Sequence, residues 1–372
     1  MAQRLLFTSE NGAKGGVWQA TPDFPSITDD LSGVFGRGGY EGIQADPQGN
    51  LIIVEDVGGT NGNTNPHAKQ PNSFIYRFQP KDPTNLQRGG RLQVLQVVSK
   101  AHPGAIVFHA GDADGDITSQ DTKDLHTYGL VFQTNWITIH DTDTQGIAPF
   151  NANALAKAAG GTPFKRPENG QFRPGSHFQE FFFDETGDTN SLTEAGADLG
   201  GFGSIQKLTL KSNSNDGTLT LFFKCDVQHS GFDNVAFWSK DEIVFVEDAG
   251  DGLHTQRNAL DSAFLFDVRA DYGDPSTPPP VRILAQGRDA SATLDSGFFS
   301  VSGTGFQNEG DNEITGWHLS DGDPATDGLL GAKNPKPFKA GWRLFYTDQH
   351  GDNVTWEITP AGEQADEQGE DN

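Results

Sequence analysis

Short runs of apolar residues, separated by glycine-rich and polar turns, recur along the whole chain. The runs are rich in β-branched and aromatic residues, which fit half-buried strands. Typical examples are NLIIVED, EFFFDET, EIVFVED and WRLFYTD. Only residues 152–161 read as a short helix, which the Gly-Gly pair at its end would stop. The pattern therefore predicts an all-β protein built from many short strands.

A diverged internal repeat groups these strands into units. One copy, YEGIQADPQGNLIIVEDVGG, begins at Tyr40, and a second, FDNVAFWSKDEIVFVEDAGD, begins at Phe232. A third begins at Arg166 and has a turn that is two residues longer. Each copy places an acidic-ended strand before an outer-type strand, and a meander repeated around an axis indicates a β-propeller. Five units are evident and residues 281–298 form a sixth candidate, so we predict one propeller domain of five or six blades over residues 1–360.

The two ends of the chain resemble each other. RLLFTSENGAKGGVWQAT begins at Arg4 and RLFYTDQHGDNVTWEITP begins at Arg343, and both read as strand, polar turn and Trp-bearing strand. We therefore predict that N- and C-terminal strands pair and close the ring, which removes exposed edges. Residues 361–372 are acidic and lack core residues, so a disordered tail is expected there.

The net charge of the chain limits which kinds of partner the protein is expected to bind. The chain has 372 residues and a formal net charge of −25, which predicts repulsion from nucleic acid and from anionic membranes. No stretch reaches the roughly 18 apolar residues of a membrane-spanning helix. We expect a monomer with neither nucleic acid nor membrane as a partner. The first residues lack a signal-peptide pattern, so the expected location is periplasmic or extracellular if a leader has been removed, and otherwise cytoplasmic.

Acidic residues recur at matching positions of the repeat. Glu41 precedes Glu55 by 14 residues, and Asp233 precedes Glu247 by the same 14. Carboxylates beside apolar strands are costly unless they are paired or bind metal, and hard oxygen ligands suit Ca²⁺ best. The alternative is that acids at strand ends cap backbone amides in turns. The predicted metal ligands are Glu41, Glu55, Asp56, Glu168, Asp233, Glu247, Glu309 and Glu313.

Two further segments carry candidate chemistry. In Arg166-Pro-Glu168, the guanidinium could clamp a phosphoryl group beside a metal-ligating carboxylate, or the two side chains could form a structural ion pair. The segment GDADGDITSQD, from Gly111, resembles a calcium loop without matching an EF-hand, so it is either a peripheral Ca²⁺ loop or a solvated acidic turn. The single cysteine, Cys225, excludes a CxxC metal site.

Several of these motifs together resemble the PhoX-type alkaline phosphatases. They are RPEN before an acidic-ended strand, the EG…VED unit, the FDNVAF…VEDAGD unit and the NEITG segment. The resemblance covers roughly residues 40–352 and implies a β-propeller with calcium and iron on its axis that hydrolyses phosphomonoesters. It implies that Arg166 contacts phosphate, that Glu168 binds metal, and that Glu55 and Asp56 match the family's acidic pair.

One departure from the family bears on the metal. The family's first site-bearing unit begins with a cysteine that binds iron, and Glu41 occupies that position here with the spacing to the acidic pair kept. This departure argues against an iron–thiolate site and favours an all-oxygen site with several Ca²⁺ ions. Arg166 and Glu168 are the predicted catalytic residues.

The sequence leaves three functions open. The first is a Ca²⁺-dependent phosphomonoesterase-like hydrolase that acts on a small phosphate ester. The second is a calcium-dependent lactonase or esterase of the propeller type, and the third is a non-enzymatic propeller that calcium stabilises. No P-loop, GxSxG or GxGxxG in a strand–helix setting is present, which argues against the common nucleotide-binding and hydrolase classes.

Overall fold

The computed structural model describes residues 4–10, 14–189, 193–212, 214–248, 261–285, 313–323, 331–349 and 354–360. Antiparallel strands dominate these residues, which confirms the all-β prediction. The strands form five consecutive meander units, and helices are short. The predicted helix is observed as Ala152–Ala158, with Asn151 accepting a hydrogen bond from the Ala154 amide at its start.

The first two units come before the helical insertions. Unit one contains β1 (Leu5–Ser9), β2 (Gly16–Ala20) and β3 (Thr28–Asp30), followed by α1 (Ser32–Phe35). Unit two contains β4 (Tyr40–Ala45), β5 (Leu51–Glu55), β6 (Ile75–Pro80) and β7 (Gly90–Val97). The segment after it contains α2 (Ala113–Ile117), α3 (Gln120–Leu125), β8 (Val131–Asp141), α4 (Thr142–Gln145) and α5 (Ala152–Ala158).

The remaining three units follow the same meander. Unit three contains β9 (Gly170–Phe172), β10 (Glu180–Glu185), β11 (Ser204–Leu210) and β12 (Asp216–Lys224). Unit four contains β13 (Phe232–Phe237), β14 (Glu242–Glu247), β15 (Ser262–Asp267) and β16 (Val281–Ala285). Unit five contains β17 (Glu313–Ser320), β18 (Arg343–Gln349) and β19 (Thr355–Ile358). The described part of the sixth candidate unit is therefore the outer strand of unit four, and its residues 286–298 lie outside the described residues.

Strand β8 joins units two and three into one nine-stranded sheet. It pairs with β7 along one edge and with β12 along the other, so the sheet runs β4-β5-β6-β7-β8-β12-β11-β10-β9. The two outermost strands of that sheet meet, because the Gly42 amide donates to the Glu168 carbonyl at 2.8 Å. A side chain at Gly42 would lie 3.0 Å from the Asn169 Cα, so only glycine permits this approach. The sheet is thereby nearly closed.

The second strands of the units are buried on both faces. Along β5, Ile53 packs into one apolar cluster while Ile52 and Val54 pack into another. Along β14, Phe245 and Val244 likewise point into different clusters. Successive side chains of a strand point to opposite faces, so a strand between two apolar layers needs a continuous apolar run. The runs LIIVE and EIVFVE have this character, and the acid at the end of each is also buried.

The predicted pairing of the terminal strands has no counterpart among the described strands. There, β1 pairs with β2 and β19 pairs with β18. The reason on the N-terminal side is that β1 packs against unit two, where Thr8 Oγ1 donates to the Glu41 carbonyl. The first strands of successive units do contact one another in the order β1, β4, β9, β13 and β17. Of the described helices, none is long and apolar enough to cross a membrane.

Candidate active site

Backbone geometry repeats from unit to unit where the first and second strands end. The Asp56 amide donates to the Gly39 carbonyl at 2.7 Å, and the Asp248 amide donates to the Gly231 carbonyl at 2.7 Å. In unit three the Thr186 amide donates to the Arg166 carbonyl at 2.9 Å. Gly39, Gly231 and Arg166 are therefore equivalent positions. The residue two places after each is acidic: Glu41, Asp233 and Glu168.

Contacts between units bring these equivalent acids to one place. Units two and three meet through the Gly42–Glu168 backbone bond described above. Units three and four meet through Thr186, whose Oγ1 donates to the Phe232 carbonyl at 2.9 Å and to Glu168 Oε1 at 2.7 Å. The repeat thus places Glu41 and Asp233 on the first strands of units two and four, and Glu168 two residues before the first strand of unit three.

We define the acidic cluster as the six carboxylates of this region, which interact electrostatically: Glu41, Asp56, Glu168, Asp184, Asp233 and Asp248. Burial and then the charge of Asp56 raise the pKa of Glu168 well above its usual range. Burial and the charges of Asp248 and Glu41 do the same to the pKa of Asp233. Burial is the first cause of both shifts, and the neighbouring carboxylates add to it.

Glu41 occupies the edge of this cluster beside unit one. Burial, the charge of Glu10 and then that of Asp56 raise the pKa of Glu41 to about 8. Glu10, which the sequence did not single out, therefore belongs to the surroundings of the site. Glu10 directly follows β1, so the N-terminal strand leads into a residue that lies beside the acidic cluster.

Arg166 lies inside the acidic cluster. Its Nε and Nη2 donate to the Asp56 carboxylate at 3.0–3.2 Å, and Nη2 also donates to Glu168 Oε1 at 2.9 Å. Its Nη1 donates to Thr189 Oγ1 at 3.0 Å. Burial opposes the charge on the guanidinium, but Glu168 and Asp56 outweigh it and raise the pKa of Arg166. The structure therefore has the Arg166–Glu168 ion pair that the sequence offered as one alternative, and the phosphate contact stays a prediction.

The backbone of Arg166 has a left-handed conformation. Its φ is 57°, and the equivalent Gly231 has a φ of 65°. A left-handed conformation is uncommon for residues other than glycine and clusters at functional sites. The chain therefore holds a long cationic side chain at a position where a repeat of this kind would accept glycine more easily.

The strand-end glutamates, defined as Glu55, Glu185 and Glu247, face away from the acidic cluster into the units. Each is fully buried and accepts a backbone amide: that of Phe74 at 3.2 Å, of Lys165 at 2.8 Å and of Ser230 at 2.9 Å, respectively. Glu55 also accepts from the Tyr76 hydroxyl at 2.9 Å, and burial raises its pKa to about 7. A backbone amide binds each of these carboxylates, but Glu55 Oε1 is buried without a hydrogen-bond partner among the described residues. Metal ligation by Glu55 and Glu247 therefore stays a prediction.

Other predicted residues have separate outcomes. Glu309 lies outside the described residues. Glu313 is the first residue of β17, and only its backbone is described. The segment from Gly111 forms α2 and α3 rather than a calcium loop or a solvated turn. Its acids bind protein groups: Asp112 accepts from the Gly115 amide at 3.0 Å, and Asp121 pairs with His102 at 2.8 Å.

The donor set of the acidic cluster fits a hard divalent cation. All its donors are carboxylate oxygens, and Asp184 Oδ2 is buried without a hydrogen-bond partner while Oδ1 accepts the Asn169 amide at 2.8 Å. Among the residues that the structure describes, no group of three or more His, Cys, Asp or Glu side chains is arranged so that it could hold a metal ion. The fit therefore rests on donor chemistry and excess charge, and Arg166 occupies two of the carboxylates that a cation would need.

A cavity of about 820 Å³ opens beside Asp56. Pro149 and Phe150 form an apolar part of its wall, and the amides of Asn151 and Asn153 add polar groups. The cavity is large enough for a small organic molecule, which ligand sites of several hundred cubic ångströms typically hold.

Fold and site together define an all-β protein of five meander units with a half-buried arginine and carboxylates where the units meet. Residues 68–259 match the model of the family described as alkaline phosphatase PhoX. The chain belongs to this family. The matched span includes Arg166, Glu168, Asp184 and Asp233, whereas Glu41 and Asp56 precede it.

Solved structures show where the fold recurs. The chain is similar to Pseudomonas fluorescens PhoX in complex with vanadate, a transition state analogue, with a TM-score of 0.52 and 15% identity. That likeness covers 90% of this chain and 52% of the other, so this chain spans about half the length of that protein. It supports the predicted propeller-type fold. A likeness to the periplasmic gluconolactonase PpgL of Pseudomonas aeruginosa, at 11% identity over 96% of this chain and 95% of the other, has a TM-score of only 0.26. No match was found among curated proteins.

Proposed function

We propose that the protein is a metal-dependent phosphoric ester hydrolase whose active site is the acidic cluster with Arg166. The observation that carries this proposal is the position of Arg166, which lies in the cluster and contacts both Asp56 and Glu168. Membership of the PhoX family adds support for phosphate-ester chemistry.

Glu41, Asp56, Glu168 and Asp233 are the proposed ligands of Ca²⁺. Their oxygen donors suit a hard cation, and a divalent cation would offset the burial and like charges that raise the pKa values of Glu41, Glu168 and Asp233. When bound, Ca²⁺ would supply positive charge to the phosphoryl oxygens and to the attacking water. Cys225 follows β12 and is buried in the apolar cluster shared by units three and four, where burial raises the pKa of its thiol, so we do not propose an iron–thiolate site.

Arg166 is the proposed phosphate contact. A guanidinium presents a rigid fork of donors that matches phosphate oxygens, and such a group stabilises charge that develops in the transition state. In the present structure the fork points at Asp56 and Glu168, while Thr189 holds its third nitrogen. Thr186 and Thr189 would keep the side chain and Glu168 in register, and the cavity beside Asp56 would receive the organic part of a small phosphate ester.

The experiment is the turnover of p-nitrophenyl phosphate with added Ca²⁺ and with a chelator. We expect chelator-sensitive turnover, and we expect Arg166→Ala to lower kcat by about 10²–10³-fold, the usual effect of removing one transition-state donor. Arg173→Ala is the matched control, because Arg173 forms surface ion pairs with Glu180 and Asp241. Turnover that survives in Arg166→Ala contradicts the proposal. Hydrolysis of lactones but not of phosphate esters selects the lactonase alternative, and hydrolysis of neither selects a calcium-stabilised scaffold.

A further inference from the structure

The loop between β5 and β6 folds back on itself and presents Lys69 near the site. The Gly62 amide donates to the Ala68 carbonyl and the Gln70 amide donates to the Thr60 carbonyl, both at 2.9 Å. A side chain at Gly59 would lie 1.8 Å from the Gln70 carbonyl oxygen, so the two arms of the loop touch. The polar sequence GGTNGNTNPHAKQPN is therefore an ordered hairpin-like loop.

The acidic residues after Gly111 anchor this loop. Asp114 accepts the Asn63 amide at 2.7 Å and the Thr64 hydroxyl at 3.0 Å. Asp116 accepts from Gln70 Nε2 at 2.6 Å. Carboxylates that bind loop amides fix the backbone in one conformation. The segment that resembled a calcium loop thus holds the loop that carries Lys69.

Lys69 differs from its neighbour Lys165 in its partners. The Lys165 ammonium forms a buried ion pair with both oxygens of Asp188, at 2.9 and 3.1 Å. The Lys69 amide donates to the same carboxylate at 3.0 Å, which fixes the backbone of Lys69. Within the described part of the chain, no hydrogen bond or ion pair reaches the Lys69 ammonium.

One short segment brings Lys69 close to Arg166: Asp188 accepts the Lys69 amide at 3.0 Å, and the next residue, Thr189, accepts from Arg166 Nη1 at 3.0 Å. Burial, followed by the charge of Arg166, lowers the pKa of Lys69, while Asp188, Asp56 and Glu168 act in the opposite direction. Two neighbouring cations repel each other unless an anion lies between them. Arg166 thus offers a forked set of donors, and Lys69 offers a compact point charge. Proteins use both kinds of cation to bind phosphate.

We propose that Lys69 is a second phosphate contact, which binds the phosphoryl oxygens from the side of the β5–β6 loop while Arg166 binds them from the acidic cluster. This inference rests on the proposed function. The competing explanation is that Lys69 only offsets the negative charge of the cluster. The two explanations predict different effects when Lys69 is replaced by a neutral residue. If Lys69 contacts phosphate, phosphate binding should weaken; if it only offsets charge, metal binding and stability should change.

The test compares Lys69→Gln, Lys69→Arg and the control Lys211→Gln, whose lysine is exposed in the turn between β11 and β12. Calcium-loaded proteins are assayed for p-nitrophenyl phosphate hydrolysis and for inhibition by inorganic phosphate. A hydrogen bond from a charged group contributes about 1.5–3 kcal/mol, so Lys69→Gln should raise the inhibition constant of phosphate by about 10–100-fold. We expect Lys69→Arg to recover part of the loss, and calcium content and the thermal midpoint to stay at wild-type values.

Each outcome separates the inference from the proposed function. If the wild type turns over substrate and Lys69→Gln binds phosphate as tightly as the wild type does, Lys69 is not a phosphate contact but the proposed function stands. Unchanged phosphate inhibition together with altered calcium content selects the counter-charge explanation. A wild type that neither hydrolyses the ester nor binds phosphate overturns both.

Discussion

The strand-end glutamates and the acidic cluster come from the same repeat but have opposite surroundings. Glu185 accepts hydrogen bonds from the Lys165 amide, His126, Ser204 and Gln206, and its pKa is about 2 despite complete burial. Asp233, also buried, has neighbouring carboxylates instead, and its pKa is well above the usual range. Hydrogen-bond donors thus surround Glu185, whereas other carboxylates surround Asp233.

The difference arises from which side of the strand end a carboxylate faces. A strand-end glutamate points into its own unit, where an adjacent chain segment offers a backbone amide. A cluster acid points to where the first strands of different units meet, and there its neighbours are the equivalent acids of other units. Arg166 and Lys69 both interact with carboxyl groups of this cluster, Asp56 and Glu168 among them.

The largest expected effect is on a strand-end glutamate. Glu185→Ala leaves buried donors without an acceptor, and the loss of one partner of a buried charged network typically costs about 3–5 kcal/mol. We expect a decrease of this size in the free energy of unfolding measured by urea denaturation. The control is Glu180→Ala in the same strand, since Glu180 forms a half-exposed ion pair with Arg173 and should change stability by at most about 1 kcal/mol. Equal effects of the two substitutions would contradict the distinction.

An effect of the opposite sign is expected in the acidic cluster. Asp233→Asn removes a charge that burial and neighbouring carboxylates disfavour, so the calcium-free protein should become more stable in urea denaturation. The same variant should lose part of the rise in thermal midpoint that Ca²⁺ gives to the wild type, because metal that binds only the native state stabilises it by mass action. Exposed Asp216→Asn is the control and should leave both quantities unchanged. A destabilised Asp233→Asn protein in chelator would show that the cluster is structural.

The pH dependence of the calcium-free protein should have opposite signs for Glu41 and Glu185. Glu41, with a pKa raised to about 8, favours folding below its ordinary value near 4.5, and that contribution is lost as pH rises towards 8. Glu185, with a pKa lowered to about 2, stabilises above 4.5, and its contribution is lost as pH falls towards 2. Thermal midpoints from pH 3 to 9 should therefore decline on both sides. Glu41→Gln should reduce the alkaline decline only, and a profile that Glu41→Gln leaves unaltered would refute this assignment.

The repeat made part of the site predictable from the sequence. A constant offset between Glu41 and Glu55 and between Asp233 and Glu247 marks equivalent positions, and equivalent first strands meet in a radial array. Which member of an acidic pair faces the cluster could not be predicted, because adjacent strand residues point to opposite sides and the choice depends on amides from distant segments. The longer turn of the third copy also places Thr186 where the other copies have Asp56 and Asp248.

Other features depended on tertiary contacts. The sequence shows two apolar runs at residues 129–134 and 136–141, whereas the structure has one continuous strand, β8, that pairs on both edges and fuses two units. Lys69 lies in a polar loop whose conformation depends on Asp114 and Asp116, roughly fifty residues away, so no local pattern marks it. Both features arise from long-range hydrogen bonds that composition and spacing do not report.

The proposed metal centre is tested most directly by calcium binding to the purified protein. Equilibrium dialysis with elemental analysis would compare the wild type, Asp233→Asn and Glu247→Gln. We expect several Ca²⁺ ions per wild-type chain and fewer in Asp233→Asn. The folded fraction of Glu247→Gln should bind as many Ca²⁺ ions as the wild type. Calcium that is lost in Glu247→Gln but kept in Asp233→Asn would contradict the division of the acids, and a wild type that binds none would contradict the metal centre itself.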